Sequence, residues 1–122
     1  MELKIPYRWR WSVLGCVLIT GSAWAHAFPV RSSPQVGASL THAPAAVTIW
    51  FDAELEPLFS RLTVTDAHER QVSTGPARVP AGHPRELTAQ LAPLASGTYI
   101  VSWSVVATDG HHTEGRFRFV VR

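Results

Sequence analysis

Sulfur is nearly absent from this 122-residue chain: Cys16 is its only cysteine and Met1 its only methionine. Beyond residue 16 no disulfide can form and no thiolate is offered to a metal, so any core has to come from apolar packing. Lysine occurs once, at Lys4. Long hydrophobic runs are missing too. A spanning helix needs about 20 apolar residues, and the one candidate, Trp11 to Ile19, is too short. No stretch beyond it keeps the three-to-four spacing of an amphipathic helix over three turns. These absences argue against a disulfide-stapled domain, a helical bundle and a membrane-spanning helix.

The first 25 residues read as a secretory signal. A basic start (Lys4, Arg8, Arg10) precedes the apolar run, and small residues around Trp24 close the segment at Ala23-Trp24-Ala25. Cleavage after Ala25 is expected and makes His26 the first residue of an exported protein. Ala25-His26-Ala27 satisfies the same small-x-small rule and would leave Phe28 first. Val13-Leu14-Gly15-Cys16 superficially resembles a lipidation box, but Leu14 fits it poorly. Removal of the leader takes three of the eleven basic residues and one of the nine acidic ones, leaving eight of each. A neutral chain without lysine gives no support for nucleic-acid binding or for a polybasic membrane surface. All six histidines survive processing.

The remainder, residues 26–122, is one domain by length and reads as all-β. Short alternating runs recur between turn residues: Val47 to Phe51, Arg61 to Thr65, Glu86 to Leu91, Thr98 to Val106, and a last run ending at Val121. Tyr99, Val101, Trp103 and Val105 share one face, as do Phe117, Phe119 and Val121, while Arg116 and Arg118 face solvent. About seven short antiparallel strands with Pro- and Gly-rich turns predict a two-sheet β-sandwich with Greek-key connections, with a closed barrel as the alternative. Gly75 to Pro84, with three prolines and two glycines, is expected to be a mobile loop.

Two places carry metal-capable groups. A first-residue His26 offers its α-amine and its imidazole to one ion, and paired nitrogen donors of that kind favour Cu(II). At the turn between the last two strands, Asp109 and His111 are two apart and project to one side, with Gly110 keeping the space between them clear. Taken alone, Asp109-Gly110-His111 fits better a plain turn in which Asp109 caps backbone amides and the histidines face water. His112 should point away as a bystander, and His42, His68 and His83 read as solvated loop residues.

The segment Gly97-Thr98-Tyr99-Ile100-Val101-Ser102-Trp103 through Asp109-Gly110-His111, followed by Gly115-Arg116-Phe117-Arg118-Phe119, resembles the last two strands of the CopC family of periplasmic copper-binding proteins. His26, Arg31-Ser32-Ser33-Pro34 with Gly37-Ala38, and Val47-Thr48-Ile49-Trp50-Phe51 with Glu56-Pro57 are similar to its opening blocks. The resemblance implies an immunoglobulin-like β-sandwich, one Cu(II) held by His26, Asp109 and His111, a periplasmic role in copper homeostasis or resistance, and a CopD-like inner-membrane importer as partner. It implies no catalysis, and a single chain suffices for the site. Ala53 stands where relatives often carry an acidic residue, with Asp52 or Glu54 as the substitute, since strand alternation does not let both face the site. Met1 leaves with the leader, so the methionine-rich Cu(I) site of some members is excluded.

Two other readings compete. A first-residue histidine on copper also occurs in oxidative polysaccharide-cleaving enzymes, which need an open coordination position. The other is a metal-free adhesive or assembly sandwich.

Overall fold

The computed structural model describes residues 26–122; the leader, with Cys16 and Met1, lies outside the described residues. Eight strands follow in order: β1 (Pro29–Ser33), β2 (Ser39–Leu40), β3 (Ala46–Phe51), β4 (Arg61–Thr65), β5 (Ser73–Arg78), β6 (Glu86–Leu91), β7 (Gly97–Val106) and β8 (His112–Val121), with one 3-10 turn at Pro57–Phe59. They form two four-stranded sheets, β1-β3-β6-β5 and β2-β8-β7-β4. The chain crosses between the sheets repeatedly, as the β-sandwich expectation requires. Among the described residues no helix is long and apolar enough to cross a membrane.

Alternation builds the core. Val47, Ile49 and Phe51 of β3 and Leu87 and Ala89 of β6 face Leu62, Val64, Val101, Val105, Phe119 and Val121 of the other sheet, all buried. Residues between them in sequence are half-buried or exposed, including Arg116 and Arg118. Tyr99 stacks on Phe119 with ring centroids 5.4 Å apart. Its hydroxyl donates to the carbonyl of Ala95 at 2.6 Å, which satisfies the one polar atom that this core ring carries. Such a bond back to the chain just upstream of a strand resembles the tyrosine corner of Greek-key sandwiches.

Two expectations need correction. The strand count rises from about seven to eight, and the two-residue β2 runs parallel to β8 rather than antiparallel. The expected loop from Gly75 to Pro84 is strand in its first part, because β5 pairs with β6 at Ser73, Thr74 and Arg78. The register shifts between Thr74 and Arg78, around Gly75 at φ 66° and Pro76. Edge strands tolerate a missing N–H and a bulge where central strands do not, and β5 is an edge of its sheet. Proline and glycine here mark a bulged edge.

Trp103 and Gly115 are directly opposite across β7 and β8. The indole lies over the glycine so closely that a Cβ there would sit 2.6 Å from Trp103 Cζ2, and it meets Phe51 edge-on with centroids 5.4 Å apart. Gly115→Ala is therefore expected to lose about 1–3 kcal/mol by overpacking, read as a lower denaturant midpoint. An unchanged midpoint would show that Trp103 moves aside without cost.

Candidate metal centre

The β7–β8 hairpin closes through residues 107–111. The Ala107 amide donates to the His111 carbonyl at 2.9 Å and the Gly110 amide to the Ala107 carbonyl at 2.8 Å. Gly110 takes φ 90°, a left-handed conformation that side chains strain to adopt. The turn is braced against the segment after β3: Leu55 bridges to Ala107, and the Thr108 amide donates to the Glu54 carbonyl at 3.0 Å.

Within the turn Asp109 caps the chain and also meets the histidine. Its Oδ1 accepts the His111 amide at 3.0 Å, and its Oδ2 lies 2.9 Å from His111 Nδ1. The cap that a plain turn requires is therefore present, and the same carboxylate also lies beside the His111 ring. The His111 amide, then its side chain, hold the Asp109 carboxyl below the usual carboxylate range, against a smaller opposing effect of desolvation. Side chains of His111 and Asp109 are 30% and 34% exposed, so an ion in solution can reach them.

His26 arrives from the opposite end of the chain. Its ring meets that of His111 edge-on, centroids 4.9 Å apart with planes at 64°, and that of Phe28 at 5.7 Å. The next residue, Ala27, is completely buried, and its carbonyl accepts the Thr113 hydroxyl at 2.6 Å. The Phe28 amide donates to Asp52 Oδ1 at 2.7 Å, and the Asp52 amide donates to the Phe28 carbonyl at 3.0 Å.

His26, Asp109 and His111 are therefore brought to one end of the sandwich as neighbours. Among the described residues no three His, Cys, Asp or Glu side chains form a closed metal-holding group, so an ion would have to draw these donors inward. The donor chemistry fits a borderline ion that accepts imidazole and carboxylate. Other histidines lie elsewhere. His112 Nε2 is 2.7 Å from Ser104 Oγ on the solvent face, His83 Nδ1 is 3.3 Å from Glu86, and His42 contacts Thr41. His68 is exposed in the Asp66 turn, where its amide donates to Asp66 Oδ1. Asp52 is engaged by the amino-terminal arm, Ala53 packs against the core and Glu54 is exposed. Sequence reasoning did not single out Ala27, Thr113 or the role of Asp52, because no spacing rule links residues so far apart.

Comparison with known proteins gives one consistent picture. The family described as the CopC domain matches residues 29–122. Protein YobA of Escherichia coli (strain K12) is 36% identical over 116 residues, 94% of each chain. Copper resistance protein C of Xanthomonas campestris pv. juglandis is 32% identical, over 86% of this chain and 87% of its own. Copper transport protein CutJ of Bacillus subtilis (strain 168) is 29% identical, over 93% of this chain but only 21% of its own length. The crystal structure of CopC from Methylosinus trichosporium OB3b superposes with a TM-score of 0.74 at 34% identity, covering 79% of this chain and 93% of that one.

A carboxyl whose folded pKa is depressed contributes stability above its unfolded pKa and loses it as pH falls through the folded value. Carbon-detected NMR titration of the metal-free protein should place the Asp109 midpoint below that of an unstructured aspartate. His111→Ala should raise it only part of the way, since the backbone amide remains. A midpoint unmoved by His111→Ala would remove the imidazole from the account.

Proposed function

The chain belongs to the CopC family, and on that premise we propose that it is a non-catalytic copper carrier that binds one Cu(II) at the end of its sandwich. The ion is held by the α-amine and imidazole of His26, the Asp109 carboxylate and the His111 imidazole. Cleavage after Ala25 creates the amine, and the mature chain works in the periplasm, limiting free copper and passing it to a CopD-like importer in the inner membrane. The observation that carries this reading is the 4.9 Å approach of the His26 and His111 rings, with Asp109 2.9 Å from the second. A terminus and a turn separated by the whole domain meet at the residues able to chelate.

Nitrogen donors and one carboxylate suit Cu(II), which ranks highest in the divalent affinity order. Residues 26–122 hold no sulfur, so Cu(I) finds no thioether or thiolate. The importer is supported by a relative named as a copper transport protein, in which this domain is about a fifth of the length.

Intact mass of the protein recovered from the periplasm, with and without one equivalent of Cu(II), is the first test. A chain beginning at His26 that retains one copper is expected. One beginning at Phe28 would remove both nitrogen donors of His26, and one modified at Cys16 would remove its α-amine; either outcome overturns the reading. His111→Ala should weaken Cu(II) by roughly 100-fold or more, about 2.7 kcal/mol, with the far-ultraviolet spectrum unchanged. Equal affinity in that variant would sink the ligand assignment. Copper at about 100 times its dissociation constant should stabilise the wild type by at most about 2.7 kcal/mol, the limit for an unfolded chain that binds none, and by less to the extent that His26 chelates it unfolded.

A further inference from the structure

The amino-terminal arm has little apolar material to hold it. Ala27 buries a single methyl group, and the Phe28 ring is 53% exposed. The β1–β3 ladder cannot extend to it in the ordinary way either. Pro29 has no N–H, and the register between the two strands shifts between Pro29 and Arg31. Past that interruption the pairing is restored by one residue. Asp52 follows the last residue of β3 and takes both polar groups of Phe28: its amide donates to the Phe28 carbonyl at 3.0 Å, and its Oδ1 accepts the Phe28 amide at 2.7 Å. On the opposite sheet, Thr113 at the start of β8 donates its hydroxyl to the Ala27 carbonyl at 2.6 Å. The arm is thus tied to both sheets immediately after His26.

We propose that Asp52, assisted by Thr113, is a positioning residue: its carboxylate holds the Phe28 amide and so keeps His26 beside His111 before any ion arrives. This role rests on the copper reading above. It also assigns Asp52 a different task from the acidic residue missing at Ala53, since its oxygen is occupied by the main chain of the arm. A donor held in place before binding loses less freedom when the ion is captured, and residues that orient ligands in this way commonly change metal affinity by about 10–100-fold when removed. A carboxylate accepts an amide more strongly than a neutral oxygen, yet an asparagine at 52 retains an acceptor at the same distance from the backbone.

The test uses the full processed protein and three variants: Asp52→Ala, Asp52→Asn and Thr113→Val. Hydrogen exchange of the Phe28 amide is first measured without metal. Slow exchange is expected in the wild type, at least about tenfold faster exchange in Asp52→Ala, and near wild-type behaviour in Asp52→Asn. Cu(II) affinity, measured by competition with a chelator of known affinity, should fall about 10–100-fold in Asp52→Ala. It should recover in Asp52→Asn and fall to a smaller degree in Thr113→Val. The Cu(II) electron paramagnetic resonance spectrum of saturated Asp52→Ala should match wild type, because no ligand has been lost.

A Phe28 amide that exchanges as fast as in an unstructured chain overturns the clamp. Faster exchange in Asp52→Ala with unchanged copper affinity overturns the positioning role alone. A changed resonance spectrum that Asp52→Asn does not restore makes Asp52 a ligand and overturns it too. A wild type that takes up no copper overturns the copper reading, and the exchange data then judge the clamp by itself.

Discussion

The register of β7 against β8 is the constraint on which the candidate site depends. Antiparallel pairs run without interruption from Gly97↔Val121 to Val106↔His112, so every side chain on both strands is assigned to a face by a single ladder. Odd-numbered residues of β8 face the core side: Thr113, Gly115 beneath Trp103, Phe119 and Val121. Even-numbered ones, among them His112, Glu114, Arg116 and Arg118, are exposed or face solvent. A slip by one residue would exchange the two sets. It would bury charges, expose Phe119, take Thr113 away from the arm and rebuild the turn that carries Asp109 and His111. Buried Phe119 and Val101 and the close seat of Trp103 on Gly115 make that slip costly. A metal-capable turn at the sandwich end is thus held by the packing in its middle.

What the ladder does for one half of the site, main-chain hydrogen bonding does for the other. The arm runs antiparallel to the end of β3, but proline removes one donor from that pairing, and the carboxylate of Asp52 stands in as acceptor for the next. From the sequence alone, Asp52 is placed here only as one of two substitutes for the acidic residue missing at Ala53. Its observed partner is a backbone amide, and a single residue that both donates to and accepts from Phe28 fixes the direction of the chain entering the site as well as its distance.

Much of this was legible beforehand because strand alternation is a local property. The inward faces of β7 and β8, the exposure of Arg116 and Arg118 and the separation of His112 from His111 all follow from a period of two applied to a well-marked turn. The segment from Gly75 was misread because proline and glycine signal a bulged edge strand as strongly as they signal a loop, and only the pairing with β6 distinguishes them. The two residues of β2 carry too little pattern to be seen. The Tyr99 hydroxyl bond to Ala95, and the ties from Thr113 to Ala27 and Asp52 to Phe28, are tertiary events. Two of the three span tens of residues, and no spacing in one sequence announces them. Of the candidate site, His26, Asp109 and His111 could be named from the sequence, and the residues that support them could not.

On the copper reading, the same arrangement bears on how an ion would leave. The donors belong to a turn and an arm at one end of the sandwich, with His111 and Asp109 about a third exposed. The core residues Ile49, Val101 and Phe119 have no part in coordination, so releasing the ion does not require the sheets to separate. The arm is tied down by surface hydrogen bonds with almost no apolar burial, and such contacts open locally at far lower free energy than a core strand does. Leu58 and Phe59, 88% and 64% exposed, lie in the 3-10 turn next to Glu56, whose amide donates to Val106 at the base of the same hairpin. On that reading, strength of binding and ease of transfer would meet in the same few contacts: Asp52 and Thr113 hold the His26 arm ready, and their opening would free it while the sandwich stays folded.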